Sequence, residues 1–327
     1  MSILRIGVLR GGPSAEYDIS LKTGAAILDA LRSTHSDKYE ARDIFIDREG
    51  VWHSDGRPFA PEDAHARFDV AFNALHGSYG EDGKIQAILE AHGIPFTGSD
   101  SLSSAVAMNK LLTKQAMKHH GVKTPFWKEV LSEEVAADPE AAASKLFRSF
   151  ILPAFVKPTN TGSSVGMAIA RDRAELAAAL QEAAKHGHSI LVEEYIPGIE
   201  ATCGVIEGFR GEKLYALPPI EIRTENPFFD YEAKYAGGKS EEIVPATFSE
   251  KLKNEIMELS RKIHRALGLR HYSRSDFIIH PRRGIYFLEV NTLPGMTEES
   301  LMPKALRAVG SSLPEFVGHV VGMTIER

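Results

Sequence analysis

A fourteen-residue segment, Phe287 to Ser300, restricts the possible folds more sharply than any other stretch. Its first half alternates as a strand does, so that Leu288 and Val290 face one way and Glu289 and Asn291 the other. A carboxylate and an amide then stand side by side on a strand that is otherwise apolar. If that face is buried, the carboxylate needs a partner, and a hard divalent cation such as Mg²⁺ is one, since it favours carboxylate and amide oxygens. The competing reading is a half-wet sheet face with no ligand at all.

A second segment, His271 to Ile279, also alternates: Arg274 and Asp276 share one face, Phe277 and Ile279 the other. His280-Pro281-Arg282-Arg283-Gly284 between them is turn-like, which predicts a hairpin. Pairing the two strands brings Asp276 towards Glu289 and Asn291, giving three oxygen donors and one guanidinium at one place. Two Mg²⁺ ions bridging a nucleoside triphosphate require such a set.

The rest of the chain supplies a setting for it. At 327 residues, 43% hydrophobic and 25% charged, the composition is that of a soluble enzyme of two or three domains. A net charge of -6 without a long basic run argues against nucleic-acid binding. One cysteine, Cys203, excludes an intramolecular disulfide and a cysteine-based zinc site, and it reads as a buried strand thiol. No apolar run approaches the roughly 18 residues of a membrane span and no signal sequence is seen, so the expected location is the cytoplasm.

Ile3 to Leu9 reads as a parallel strand buried on both faces, followed by a tight turn at Gly11-Gly12-Pro13-Ser14 and a helix carrying Ile19, Thr23, Ile27 and Leu31. Further strands are predicted at Ala41–Ile46, Phe68–Phe72 and Pro95–Gly98, with a helix around Ile85 to Leu89. This alternation predicts a small doubly wound α/β domain over about the first hundred residues. No GxGxxG follows the first strand, so a dinucleotide site is not supported. Gly77 to Ile85 imitates a phosphate loop but has Ser78 in place of its first glycine and Ile85 in place of its Ser or Thr.

A single helix is predicted from Ser103 to His120, with Lys110 in its middle. Ala154 to Pro158 is a short buried strand carrying Lys157, and Gly166 to Ala170 is its return strand. The glycine- and hydroxyl-rich tip between them, Thr159 to Val165, has backbone N–H groups and hydroxyls suited to covering phosphate oxygens, although a merely flexible turn would look similar. Downstream, Ile190 to Ile196 runs from apolar residues to polar acceptors; its backbone can read an adenine edge, and Glu200 can accept from ribose hydroxyls. Asn226 to Pro245 is long, polar and aromatic, which marks a candidate lid. Leu252, Ile256, Leu259 and Ile263 mark an amphipathic helix ended at Gly268.

Six motifs then occur in order: Gly11-Gly12-Pro13-Ser14-Ala15-Glu16, Ala74-Leu75-His76-Gly77, Val156-Lys157-Pro158, Gly162 to Met167, Asp230 to Tyr235, and Leu288 to Thr297. Together they resemble the D-alanine–D-alanine ligases of the ATP-grasp superfamily over nearly the whole chain. The resemblance implies an ATP-grasp fold, α/β and α+β, behind the N-terminal doubly wound α/β domain. The implied division is 1–108 for that domain, 109–194 for the central ATP-grasp lobe and 195–327 for the C-terminal lobe.

The resemblance also implies roles. Lys110 and Lys157 would contact ATP phosphates under Ser164, and Lys234 would reach the γ-phosphate. Glu193, Glu194, Tyr195, Ile196, Glu200 and Phe228 would surround the adenosine. Asp276, Glu289 and Asn291 would hold two Mg²⁺ ions, with Mn²⁺ as a substitute, and Asn291 would lie beside the nucleotide. Glu16 would accept from the ammonium of the first D-alanine and His76 would lie near its carboxylate. Ser300 and Leu301 would take the second D-alanine, with Arg274 and the Gly295 N–H as oxyanion donors and Glu16, Ser163 and Tyr235 linked by hydrogen bonds near the attacking amine. Tyr235 matches the peptide-forming type rather than the D-alanine–D-lactate type, the main alternative among ATP-grasp ligases. Phe229 and Glu194 depart from the pattern, where many relatives carry tyrosine and lysine. The implied activity is ATP-dependent synthesis of D-alanyl-D-alanine for peptidoglycan, by a homodimer joined through the N-terminal domain.

Overall fold

A computed structural model of the protein describes residues 3–160, 166–224 and 240–326. The chain opens with β1 (Leu4–Gly11), α1 (Tyr17–Thr34), β2 (Tyr39–Ile46), β3 (Trp52–Ser54), β4 (Arg57–Phe59), β5 (Val70–Asn73) and α2 (Lys84–Ala91). The sheet order is β4-β3-β2-β1-β5, with β1 parallel to both β2 and β5. Only the edge formed by β3 and β4 is antiparallel. The central strand is apolar on both sides, as a doubly covered parallel strand requires: Ile6, Val8 and Leu9 are fully buried. The strand predicted at Pro95–Gly98 is reduced to one parallel bridge, Ala71 to Phe96; past it the Asn73 N–H donates to Thr97 Oγ1 and the Gly98 N–H to His271 Nδ1 instead of continuing a ladder.

The helix predicted from Ser103 to His120 is two helices, α3 (Ser101–Met108) and α4 (Lys110–His119). Asn109 between them is extended (φ -84, ψ 104), and its side-chain oxygen accepts from the N–H groups of Leu111 and Leu112. The Lys110 N–H is thereby freed from helical bonding and donates to Thr159 O at 3.0 Å. Lys110 is thus the first residue of a capped helix rather than the middle of a long one. An asparagine with this capping ability competes well against helix continuation.

The central lobe comprises β6 (Trp127–Leu131), α5 (Ser132–Ala137), α6 (Pro139–Phe147), β7 (Ala154–Pro158), β8 (Ala168–Ala170), α7 (Arg173–Ala184) and β9 (Ser189–Glu194). Its antiparallel sheet, β6-β9-β7-β8, packs against the alanine-rich helices through Val156, Val192, Leu176 and Leu180. The C-terminal lobe contains β10 (Ile199–Glu207), β11 (Leu214–Ala216), β12 (Ile220–Thr224), β13 (Ser240–Ile243), α8 (Glu250–Ala266), β14 (Tyr272–His280), β15 (Gly284–Asn291), α9 (Leu301–Ala308) and α10 (Leu313–Ile325). Its sheet runs β13-β12-β10-β14-β15, with β11 on β10. Helix α8 covers one face through Ile256 and Ile263, against Phe277 and Phe287. Helix α10 instead joins the N-terminal core, where Phe316 and Val320 share a cluster with Ile6, Val8 and Ile27.

The hairpin of β14 and β15 departs from simple alternation. Asp276 is opposite Glu289, yet Phe277 is opposite Phe287, so Leu288 is an extra residue in a β-bulge. Phe287 and Glu289 therefore project to opposite faces although they are two apart. Phe287 enters the core with Phe277, while Glu289 joins Arg274 and Asp276 on the other face.

Replacing Asn109 by alanine removes the α4 cap and is expected to cost about 1 kcal/mol of stability. Chemical denaturation checks this; an unchanged midpoint would show that the helix break does not depend on the cap.

Candidate active site

One cavity of about 470 Å³ lies between the N-terminal and C-terminal lobes. Glu16, His76 and Glu81 line it from one side; Lys110, Arg274, Glu289, Asn291, Gly295, Ser300 and Leu301 line it from the other. These include every substrate-side residue expected from sequence that belongs to the described residues.

The N-terminal wall is built by two loops at the carboxyl ends of β1 and β5, where open parallel sheets place their ligands. Glu16 precedes α1 and His76 follows β5. Gly77, at φ +68, lets these loops meet: a Cβ there would stand 2.6 Å from Ser14 Oγ and 3.3 Å from Glu16 Oε1. His76 is buried, with Nε2 2.8 Å from Thr23 Oγ1 on α1 and Nδ1 3.9 Å from Glu81 Oε1. The Glu81 carboxylate also accepts from the Gly77 N–H at 2.9 Å. Ligand atoms of Glu16, His76 and Glu81 all lie within 4.8 Å of one another. Two carboxylates beside an imidazole suit an ammonium group. Glu81 was not foreseen: the imitation phosphate loop Gly77–Ile85 serves to carry it into this wall.

The opposite wall is the polar face of the bulged hairpin. Arg274 donates twice to Asp276, Nε to Oδ1 and Nη2 to Oδ2, each at 2.9 Å. Asn291 Nδ2 donates to Asp276 Oδ2 at 3.0 Å, which turns the amide oxygen away as an acceptor. Glu289 Oε2 lies 3.3 Å from the ammonium of Lys110. Thr202 on β10, opposite Asp276 in the sheet, donates to Oδ1 at 2.6 Å; no sequence pattern marked it. Asp276, Glu289 and Asn291 offer three oxygen ligand groups on one face, a donor set that fits a hard divalent cation.

Beyond β15 the chain turns through Pro294 and Gly295. A Cβ at Gly295 would stand 2.8 Å from Ser300 Oγ, so glycine permits that approach. The Ser300 hydroxyl is 2.7 Å from Thr297 Oγ1 and accepts from the Thr297 N–H at 3.1 Å. It does not cap α9, although Ser300 occupies the cap position. The start of α9, with its positive dipole end, faces the cavity beside Leu301. Lys304 on α9 anchors β13, lying 2.9 Å from Glu242 and 3.0 Å from Glu299.

Of the residues expected around a nucleotide, Lys110 and Asn291 line this cavity, and the other described ones lie outside its lining. Glu193 is buried in β9, with Lys157 Nζ 2.7 Å from Oε2 and Lys114 Nζ 2.7 Å from Oε1. Burial raises the Glu193 carboxyl, but the two ammoniums outweigh it and leave its pKa lowered. The Glu194 carboxylate pairs with Arg283 in the β14–β15 turn. The N–H groups of Glu194 and Tyr195 donate to Phe126 O and Pro153 O, whereas the buried Ile196 contributes no such bond among the described residues. Glu200 stands on β10 opposite Ile222 and Ile278. Ser163, Ser164, Phe228, Phe229, Lys234 and Tyr235 lie outside the described residues.

The sequence profile described as "D-ala D-ala ligase C-terminus" matches residues 116–322, and the corresponding N-terminus profile matches 54–99. The chain is 41% identical over 317 residues to the D-alanine–D-alanine ligase of Geotalea uraniireducens, covering 97% of this chain and 94% of that one. It is 38% identical to the Carboxydothermus hydrogenoformans enzyme of the same name, over 99% of both. Among solved structures, a D-Ala:D-Ser ligase from Enterococcus faecalis superposes with a TM-score of 0.86 at 30% identity, covering 99% of this chain and 100% of that one. The D-alanine–D-alanine ligase from Coxiella burnetii gives 0.84 at 25% identity, over 100% and 95%. A family profile over more than half the chain, full-length relatives near 40% identity and the shared fold agree with the cavity's chemistry: this chain belongs to the D-alanine–D-alanine ligase family.

Proposed function

We propose that the protein joins two D-alanine molecules at the expense of ATP, giving D-alanyl-D-alanine, ADP and phosphate, a precursor step of peptidoglycan synthesis. The observation that supports it most is a cavity with Glu16, His76 and Glu81 on one side, suited to an ammonium, and Arg274, Gly295 and Ser300 on the other, suited to acyl transfer. D-alanine carries an ammonium and a carboxylate on one carbon, so such a cavity can hold it by one end and activate the other.

A carboxylate does not react with an amine in water, because its carbonyl carbon is electron-rich and oxide is a poor leaving group. Transfer of the γ-phosphoryl group to a carboxylate oxygen of the first D-alanine gives an acyl phosphate and ADP. The neutral amine of the second D-alanine then attacks the acyl carbon, forming a tetrahedral oxyanion. Its collapse expels inorganic phosphate, and loss of the amine proton completes the peptide bond. In this reading Glu16 and Glu81 hold the first ammonium, and Arg274 with the Gly295 N–H faces the oxyanion. Ser300 and the start of α9 take the second carboxylate, and Leu301 bounds the methyl side. Lys110 and Lys157 bind phosphate oxygens. Asp276, Glu289 and Asn291 would hold Mg²⁺, which supplies charge neutralisation at the transferring phosphoryl group. Ser163, Ser164, Lys234 and Tyr235 keep the roles that the family resemblance implies.

The family reading also carries a homodimer, which sedimentation velocity checks. A cytoplasmic location agrees with a substrate supplied by metabolism and with the lack, among the described residues, of a helix long and apolar enough to cross a membrane.

Incubating the protein with ATP, Mg²⁺ and D-alanine is expected to release one phosphate per D-alanyl-D-alanine, read by mass spectrometry. Turnover on D-serine or D-lactate as acceptor, with none on D-alanine, would replace the substrate assignment. Glu289→Gln is expected to lower kcat by about a hundredfold or more while the protein stays folded, as circular dichroism checks; near-normal turnover would remove Glu289 from the site. Thr202→Val takes one donor from Asp276 and is expected to raise the Mg²⁺ concentration at half-maximal rate by about tenfold. An unshifted Mg²⁺ curve would show that Thr202 has only a packing role.

A further inference from the structure

Lys114 is fully enclosed and has been given no role above. It stands one turn after Lys110 on α4, and at this spacing the two side chains share a helix face. Lys110 reaches Glu289 on β15, and Lys114 reaches Glu193 on β9. Glu193 therefore carries one ammonium on each carboxylate oxygen, both at 2.7 Å. The two lysines differ in access. Lys157 is 7% exposed at its side chain and Lys114 is 0%. Only Lys157 can touch a ligand.

The charge count explains why the buried lysine is there. Lys157 with Glu193 alone is a neutral pair, and a neutral pair attracts a phosphate weakly. Adding Lys114 leaves the cluster with one net positive charge, in surroundings of low dielectric where charge acts strongly. We propose that Lys114 is a positioning residue for the nucleotide: it neutralises Glu193 from behind, so that the positive charge of Lys157 is left for the phosphates. This rests on the nucleotide-binding reading above and assigns that function a residue outside the implied set.

A pH dependence follows. The charged groups around Lys114 are Lys110 on its own helix, Lys157 on β7, Glu193 on β9 and Glu289 on β15. Burial lowers its ammonium to about 8; Lys157 adds to this, while Glu193 and Glu289 oppose it. Compensation of Glu193 is complete below that pH and is lost as the pH rises through it. Nucleotide affinity should weaken over the same interval.

The test is calorimetric binding of a non-hydrolysable ATP analogue with Mg²⁺ to the whole protein, with adenosine as a phosphate-free control. Lys114→Met is expected to weaken the analogue by about tenfold or more while leaving adenosine unchanged. The double variant Lys114→Met with Glu193→Gln removes both charges, leaves Lys157 unopposed, and is expected to recover most of the loss in analogue affinity measured relative to adenosine in the same variant, a ratio that cancels any role of Glu193 at the adenosine. Wild-type affinity in Lys114→Met, or a double variant no better than the single one, would overturn the proposal, since a packing role predicts no rescue. Should Lys114→Met fail to fold, the wild type and the double variant decide between about pH 7 and pH 9. The wild type should lose affinity across that range and the double variant should not; matching profiles would overturn the proposal. Failure of the parent reading looks different, because the wild type itself would then not bind the analogue.

Discussion

The antiparallel pairing of β14 with β15 holds the site together, and its bulge at Leu288 is the constraint on which the site's charge arrangement depends. One extra residue lets Phe287 fill the core under α8 while Glu289, two positions later, points the opposite way. Without it a regular strand would send both to the same side, exposing an aromatic ring or burying a carboxylate. Burying an unpaired carboxylate is far more costly than distorting a ladder locally. Bulges are common beside active sites for this reason: they re-aim a side chain without moving the sheet.

Charge in this molecule is compensated in pairs and chains rather than singly. Asp276 is shared by Arg274, Thr202 and Asn291. Glu289 faces Lys110, and Glu193 is held between two lysines. Removing one member of a buried ion pair typically costs about 3–5 kcal/mol, which applies to Glu193 and its two lysines; the half-buried Asp276 and Glu289 are held more loosely, yet all three carboxylates are positioned before any ligand arrives. Catalysis gains from that, because the cost of orienting the groups is met in folding instead of in each turnover. The three clusters draw on several elements: α4 contributes Lys110 and Lys114, β7 and β9 contribute Lys157 and Glu193, β10 contributes Thr202, and β14 and β15 contribute the rest. Capping by Asn109 sets where α4 begins and so which face carries both lysines.

Much of this was legible from residues alone. The doubly wound start, the hairpin carrying Asp276, Glu289 and Asn291, and the strand carrying Lys157 follow from local periodicity and turn chemistry. The single helix from Ser103 to His120 was an error of the same method. Apolar periodicity continues across Asn109, but the Lys110 N–H finds a partner in Thr159, forty-nine positions away in the chain. The Pro95–Gly98 strand was over-read for a related reason, since a β-like run does not disclose whether a neighbouring strand has free backbone groups to pair with.

Sequence by itself determined most of the elements around the site, the family and the identity of most polar groups in the cavity, because these are encoded in short-range spacing and in motifs that survive divergence. Tertiary structure alone decided which groups meet. Thr202 donates to Asp276 because β10 and β14 are in register. Glu81 reaches His76 because Gly77 tolerates positive φ, and Lys114 meets Glu193 because the fold brings α4 within ion-pair reach of β9, at 2.7 Å. The first and last of these depend on contacts between residues far apart in sequence. Such contacts are selected by burial and hydrogen-bond satisfaction of the whole fold, and no local pattern contains them.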